Sequence, residues 1–195
     1  MVLKLPATPV QHCFRMSAES LDDGAPSSKK SELCPCNRYN AGASSWSEVN
    51  GSTMVASPNI PAFKQMAGFW PGGCSPEDTA DTACWDWSVD ANQVSMLKAA
   101  AERGATHLEL FSNSPMWWQL QNLNPSGNGG EDNLVGEAAM GAHGTYLAAV
   151  AAHAAAEWGV AFSTIEALNE PVSTWWVSDG TQEGCHFDRD SQVLF

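Results

Sequence analysis

A chain of 195 residues is the length of one domain, and 44% hydrophobic against 16% charged residues is a composition that folds. Its 22 Asp and Glu against 9 Lys and Arg leave a net charge of -13, which repels phosphate backbones and anionic headgroups and excludes nucleic acid as an expected partner. The longest weakly polar stretch, Tyr146 to Trp158, is mostly alanine, contains His153 and falls short of the roughly 20 apolar residues of a bilayer span, so no membrane span is expected.

Along the chain, the start MVLKLPATPVQHCFRM lacks the apolar run of roughly 7 to 15 residues that a secretory leader needs. Either the protein is not secreted or its true start is missing, and the compartment stays open. Residues 1 to 37 mix Pro, Ser, Lys and short polar runs without periodicity and read as a disordered tail or linker. The six Cys would permit up to three bridges in an oxidising compartment. Cys34-Pro35-Cys36 has no second Cys or His pair at zinc spacing, so no metal and no cofactor is assigned.

From Arg38 the texture changes. RYNAGASS is a short strand running into Gly and Ser, followed by a long polar, Pro-containing stretch to about Trp87. Asp90 stands at an N-cap with Gln93 three residues on, Val94, Leu97 and Ala101 share a face, and Gly104 follows, which predicts a helix from Ala91 to Arg103. Thr106 to Phe111 alternates as a strand and runs into the turn Ser112-Asn113-Ser114-Pro115. After a Gly/Asn/Pro-rich loop, Leu147, Val150, Ala151, Ala154 and Trp158 mark a second helix closed by Gly159. Val160 to Leu168 reads as the next strand, ending in Asn169-Glu170-Pro171. Strands alternating with helices, with polar motifs at strand ends, predict an α/β fold with a parallel sheet whose active edge is where the loops emerge.

Nine Trp against two Tyr is an unusual balance, and flat indoles suit the C–H faces of sugar rings. A carboxylic acid at a strand end can protonate a leaving oxygen while a neighbouring amide binds a hydroxyl, which singles out Glu170 and Asn169. Four ordered runs widen the picture: RYNxGxSS from Arg38, FSNSPxxW from Phe111, LNEPxSTWW from Leu168 and QEGCHF from Gln182. In that order and spacing the sequence resembles family 30 of the glycoside hydrolases, most closely its endo-β-1,6-galactanase-like members, over about Arg38 to Gln192.

The resemblance implies a (β/α)8 TIM barrel in which strand 4 carries an acid/base Glu, strand 7 a nucleophile Glu, and hydrolysis proceeds with retention on a polysaccharide or oligosaccharide substrate. It implies that Glu170 is the acid/base, Asn169 the amide beside it, and Arg38 the strand-2 Arg that holds the nucleophile ionised. Asn113 and Trp118 match residues near the cleaved sugar, Trp175 and Trp176 are candidate walls for stacking, and His186 lies within the matched QEGCHF run. Glu109 and Glu166 match strand carboxylates and are expected to be partners of Arg or backbone groups. Asn50-Gly51-Ser52 is a glycosylation pattern that matters only in a secreted protein.

The sequence also departs from that family. No first strand is recognisable in residues 1 to 37, and Ala41, Ala43, Met116 and Gln119 differ from the usual residues. Phe195 stops the chain just after the strand-4 loop, so the expected architecture is a partial barrel, roughly strands 2 to 4 with their helices, spanning residues 38 to 195. Such a piece lacks the nucleophile and is expected to be inactive alone; the competing readings are a carbohydrate-binding remnant and a glucosylceramidase-like or xylanase-like member of the same clan.

Overall fold

The computed structural model of the chain describes residues 2–4, 36–72 and 74–194. Most of the expected tail therefore lies outside the described residues. Four strands form one sheet: β1 (Val2–Lys4), β2 (Cys36–Asn40), β3 (His107–Phe111) and β4 (Thr164–Glu166), in the order β1-β4-β3-β2. β2 and β3 run parallel with Arg38 opposite Glu109, and β3 and β4 run parallel with Phe111 opposite Glu166. β1 adds to the β4 edge antiparallel, Val2 opposite Glu166.

Between the parallel strands lie α1 (Ala91–Glu102) and α2 (Glu137–His153). Each helix buries one face, α2 through its large side chains in an alanine-rich background, so Leu97 of α1 and Tyr146, Leu147 and Val150 of α2 join Tyr39, Leu108 and Leu110 in one core. The alternation of a strand sends Leu108 and Leu110 to that face and His107, Glu109 and Phe111 to the other. One face of the sheet is thus sealed by helices, and the opposite face carries Arg38, Glu109, Phe111 and Glu166.

The start of α1 differs from the capping-box expectation. Asp90 has a left-handed backbone, φ 55°, and its carboxylate accepts from the Tyr39 hydroxyl at 2.8 Å and the Gln93 side-chain amide at 2.5 Å instead of the first-turn N–H groups. A tertiary partner in the core has displaced the local cap. α1 also ends at Glu102, one residue early, with Gly104 in the left-handed conformation as expected. α2 continues into a π-helical turn over Ala154–Trp158, closed by Gly159 at φ 70°.

The last strand is shorter than expected, Thr164–Glu166 against Val160 to Leu168. β3 turns away after Phe111, so β4 has three rungs on which to pair. The stretch from Ala41 to Val89 has little regular structure yet supplies Phe69, Trp70, Trp85 and Trp87 to the core. Trp70 meets Trp118 edge-on at 4.4 Å, Trp85 stacks on Trp87 at 4.9 Å, and Trp87 lies flat on His153 at 3.7 Å. Most of the tryptophans that suggested sugar stacking therefore pack against one another. A Cys74–Cys84 disulfide closes part of this stretch.

Candidate active site

Because β2, β3 and β4 run in the same direction, their C-terminal ends deliver their loops to one edge. Asn40 closes β2, and its side-chain oxygen accepts the backbone N–H of Asn113 after β3, at 3.3 Å. Four residues beyond β4 the chain turns sharply at Glu170, whose backbone is left-handed at φ 49°. A non-glycine residue there costs roughly 1–2 kcal/mol, so something must hold it. The Glu170 carbonyl accepts the Trp176 indole N–H at 3.1 Å and the Ser173 N–H at 3.0 Å, and Phe187 N–H donates to the Pro171 carbonyl at 2.8 Å.

This turn borders a cleft of about 510 Å³ lined by Glu170, Trp175, Trp176, Gly180, Thr181 and Gln182. Glu170 and Trp175 are exposed, Trp175 at 62%, whereas Trp176 is buried at 3% and meets Trp175 at 6.1 Å and 66°. The Trp176 ring lies so close to Gly184 that a Cβ there would sit 2.1 Å from Cε3. Behind it, Gly127, at φ 135°, packs its backbone on the Trp176 carbonyl. Three successive carbonyls leading into the cleft wall at Gly180 accept side-chain hydrogen bonds: Ser178 from the Asn124 amide at 2.8 Å, Asp179 from the Asn59 amide at 2.7 Å, and Gly180 from the Ser57 hydroxyl at 2.6 Å. An exposed indole, an exposed carboxylate and fixed polar groups in one cleft are what recognition of a sugar and proton delivery to its leaving oxygen require.

An O-glycosyl hydrolase family 30 model matches residues 75–193. The chain belongs to O-glycosyl hydrolase family 30. It is similar to an endo-β-1,6-galactanase from Hypocrea rufa, 52% identical over 151 residues that cover 77% of this chain and 31% of the relative. The chain thus spans about a third of that relative's length. It shares its fold with a solved conserved exported protein from Bacteroides fragilis at a TM-score of 0.62 and 23% identity, over 82% of this chain and 29% of the other.

Within this family 30 chain, the other expected residues fall in different places. Arg38 lies on the open sheet face, where Nε donates to Glu109 at 2.6 Å, Nη2 donates to Glu166 at 2.5 Å, and the guanidinium lies 4.0 Å from the Phe111 ring centre. Glu109 and Glu166 are thus partners of an Arg, as expected, although Glu166 ends its strand. Burial raises the Glu166 carboxyl above its ordinary range, Arg38 pulls it down, and Glu109 pushes it up again. Neither Arg38 nor Asn113 is among the cleft-lining residues. Trp118 is half-buried and donates to the Trp70 carbonyl at 3.0 Å, so it is anchored by packing. Asn169 immediately precedes Glu170 and is half-buried.

His186 is not among the cleft-lining residues. Its Nδ1 lies 2.8 Å from Asp132, which also accepts the Asp188 N–H at 2.7 Å and the Ser191 hydroxyl, fastening the start of α3 (Arg189–Gln192). Cys74, Asp81 and Cys84 cluster within 4.8 Å, but a disulfide consumes both thiols and leaves no metal site there. Cys34 and Pro35 lie outside the described residues.

Sequence reasoning missed Gln182, Thr181 and above all Glu183. Glu183 is fully buried; its Oε1 accepts the Ser44 hydroxyl at 2.7 Å and the Met66 N–H at 3.1 Å. Burial pushes its carboxyl up to about 8. The signal was present, since Glu183 and Gln182 open the QEGCHF run, but nothing local distinguishes a buried Glu from a solvated one.

Proposed function

We propose that residues 38 to 195 form the strand-2 to strand-4 part of a (β/α)8 barrel from a retaining β-glycosidase, with Glu170 as the acid/base. The observation that carries this reading is Glu170 itself: a carboxylate on a strained turn at the loop edge of a parallel sheet, held by Trp176 and facing a cleft with an exposed indole. Helices gathered on one sheet face, with Arg38, Glu109 and Glu166 on the other, favour a barrel wall over a sheet covered on both sides. The galactanase relative supports a β-linked polysaccharide as substrate, β-1,6-galactan first, with Asn169, Trp175 and Gln182 contacting its sugars.

Retention needs two carboxyl groups roughly 5 to 5.5 Å apart. Among the described residues that line the cleft Glu170 is the sole carboxylate, while Glu109 and Glu166 are bound to Arg38. The chain alone therefore holds sugar without hydrolysing it, a binding behaviour that the exposed Trp175 favours. The test is to purify the 195 residues and incubate them with β-1,6-galactan and aryl galactosides while following tryptophan fluorescence. The expected result is quenching by oligosaccharide that Trp175→Ala weakens, with no turnover. Turnover abolished by Glu170→Ala would overturn the inactivity, and absence of any saccharide response would overturn the cleft as a sugar site.

A further inference from the structure

We propose that Glu183 is the positioning residue of the cleft: a buried carboxylic acid that ties the Glu170 loop to the end of β2 and seats the Trp176 ring. The inference rests on the reading above only for what the cleft binds.

The contacts form a short, continuous path. On one side, Oε1 of Glu183 takes hydrogen bonds from Ser44 and Met66, and the Asn40 side chain and Ala43 backbone face the same carboxyl. Asn40 also holds the Asn113 backbone, so the carboxyl joins the end of β2 to the loop after β3. On the other side, the next residue, Gly184, is the surface on which the Trp176 ring lies, with no room for a Cβ. Trp176 in turn holds the Glu170 carbonyl at 3.1 Å. The preceding residue, Gln182, lines the cleft. Releasing Glu183 would release the wall and the indole together.

The surroundings dictate the protonation state. Asn40, Ala43, Ser44 and Met66 bring no cation to the carboxyl. The titratable group in electrostatic contact is Tyr146 of α2, whose phenol burial holds far above its ordinary value, and therefore neutral. Ser44, Met66, Ala43 and Asn40 donate to the carboxyl and favour its charged form, but burial is the larger effect, because among the described residues no cation balances an ionised carboxylate in the core. The acid is accordingly pushed up to about 8, against an ordinary 4.5. Between those values the folded chain holds a proton that the unfolded chain has lost, so stability falls as pH rises from 4.5 towards 8.

The test uses the 195-residue chain and no saccharide, so its failure is separable from failure of the glycosidase reading. Melting temperatures of wild type and Glu183→Gln are compared from pH 4.5 to 9. Gln mimics the neutral acid, so the difference, variant minus wild type, should grow by several degrees up to about pH 8 and then level. A difference that stays flat or shrinks means Glu183 is ionised and overturns the proposal. The positioning is read from fluorescence: wild-type emission should change between pH 7 and 9, Glu183→Gln should not follow, and the change should be lost in Trp176→Phe. A wild-type change that persists in both variants breaks the link between Glu183 and the indole. Glu183→Ala should lose the native emission, and the Gln variant keeps the test decisive where the Ala variant does not fold.

Discussion

On one face of β3, Leu108 and Leu110 lie under Leu97 of α1, Tyr146, Leu147 and Val150 of α2 and a pile of indoles; on the other, Glu109 and Phe111 stay half-buried around Arg38. The two faces alternate residue by residue along one strand, so backbone pairing supports both equally. What separates them is what the side chains exclude from water. The covered face removes apolar area and supplies the folding energy, at about 25 cal/mol per Å². The charged face exchanges hydration for ion pairs of small net value and leaves its groups available to other parts of a site. The proposed cleft lies in the loops beyond the strand ends, and among the described residues neither face of the sheet contributes a lining residue.

The largest effect should come from the covered face. Leu110 is fully buried in the centre of the core. Leu110→Ala leaves a cavity in a close-packed region, and a loss of about 2–5 kcal/mol is expected by urea denaturation. A cost below about 1 kcal/mol would mean that the aromatic pile collapses into the space, and that the core is looser than its contacts indicate.

This comparison also explains what could be read in advance. α1, α2 and β3 were legible because their periodicity reports burial on one side, and Gly104 and Gly159 mark ends through local backbone geometry. Glu170, Asn169, Trp175 and Trp176 were candidates because a carboxylic acid, an amide and indoles in one run are chemically distinctive, although Glu170 lies four residues past β4 and Asn169 is not among the cleft-lining residues. Asp90 does stand at the N-cap of α1, but its side chain bonds Tyr39, 51 residues away, so the local capping pattern gives the position and not the partner. The core roles of Phe69, Trp70 and Trp85 left no periodic trace, since irregular chain buries side chains one at a time. Glu183 was visible as part of the QEGCHF run, but its burial was not, since its partners Ser44 and Met66 lie 139 and 117 residues away.

A second prediction uses acid to probe the covering layer. His143 on α2 is fully buried, with Nε2 3.3 Å from the Ala167 carbonyl, and burial pushes its imidazole down from 6.5 to about 4. The unfolded chain takes up a proton below 6.5 that the folded chain refuses until about 4, so the stability this group contributes is lost as pH falls through that window. The loss amounts to about 3 kcal/mol at most. His143→Gln, which cannot titrate, should escape this loss, so its melting temperature relative to wild type should rise as pH falls from 6.5 to 4.5. An unchanged acid slope would show that His143 is reached by water. Glu183 slopes the other way over the same range, so the two largely cancel in the wild type, each single variant should show a steeper pH dependence of opposite sign, and the double variant with Glu183→Gln should return close to the wild-type slope.

The smallest effect belongs to the open face. Arg38 makes two short hydrogen bonds, but its side chain is 43% exposed, and solvent and salt screen both carboxylate contacts. Arg38→Ala should cost less than about 1 kcal/mol in dilute buffer. Part of that cost is repulsion between Glu109 and Glu166, which the guanidinium now bridges, so it should shrink as NaCl rises from about 0.05 to 1 M, where the screening length falls to roughly 3 Å. The measurement is urea denaturation of both proteins at each salt concentration. A loss as large as that of Leu110→Ala, or one indifferent to salt, would show that Arg38 works through packing of its stem on Phe111. The open face would then be a second core, and the contrast between the two sides of β3 would fail.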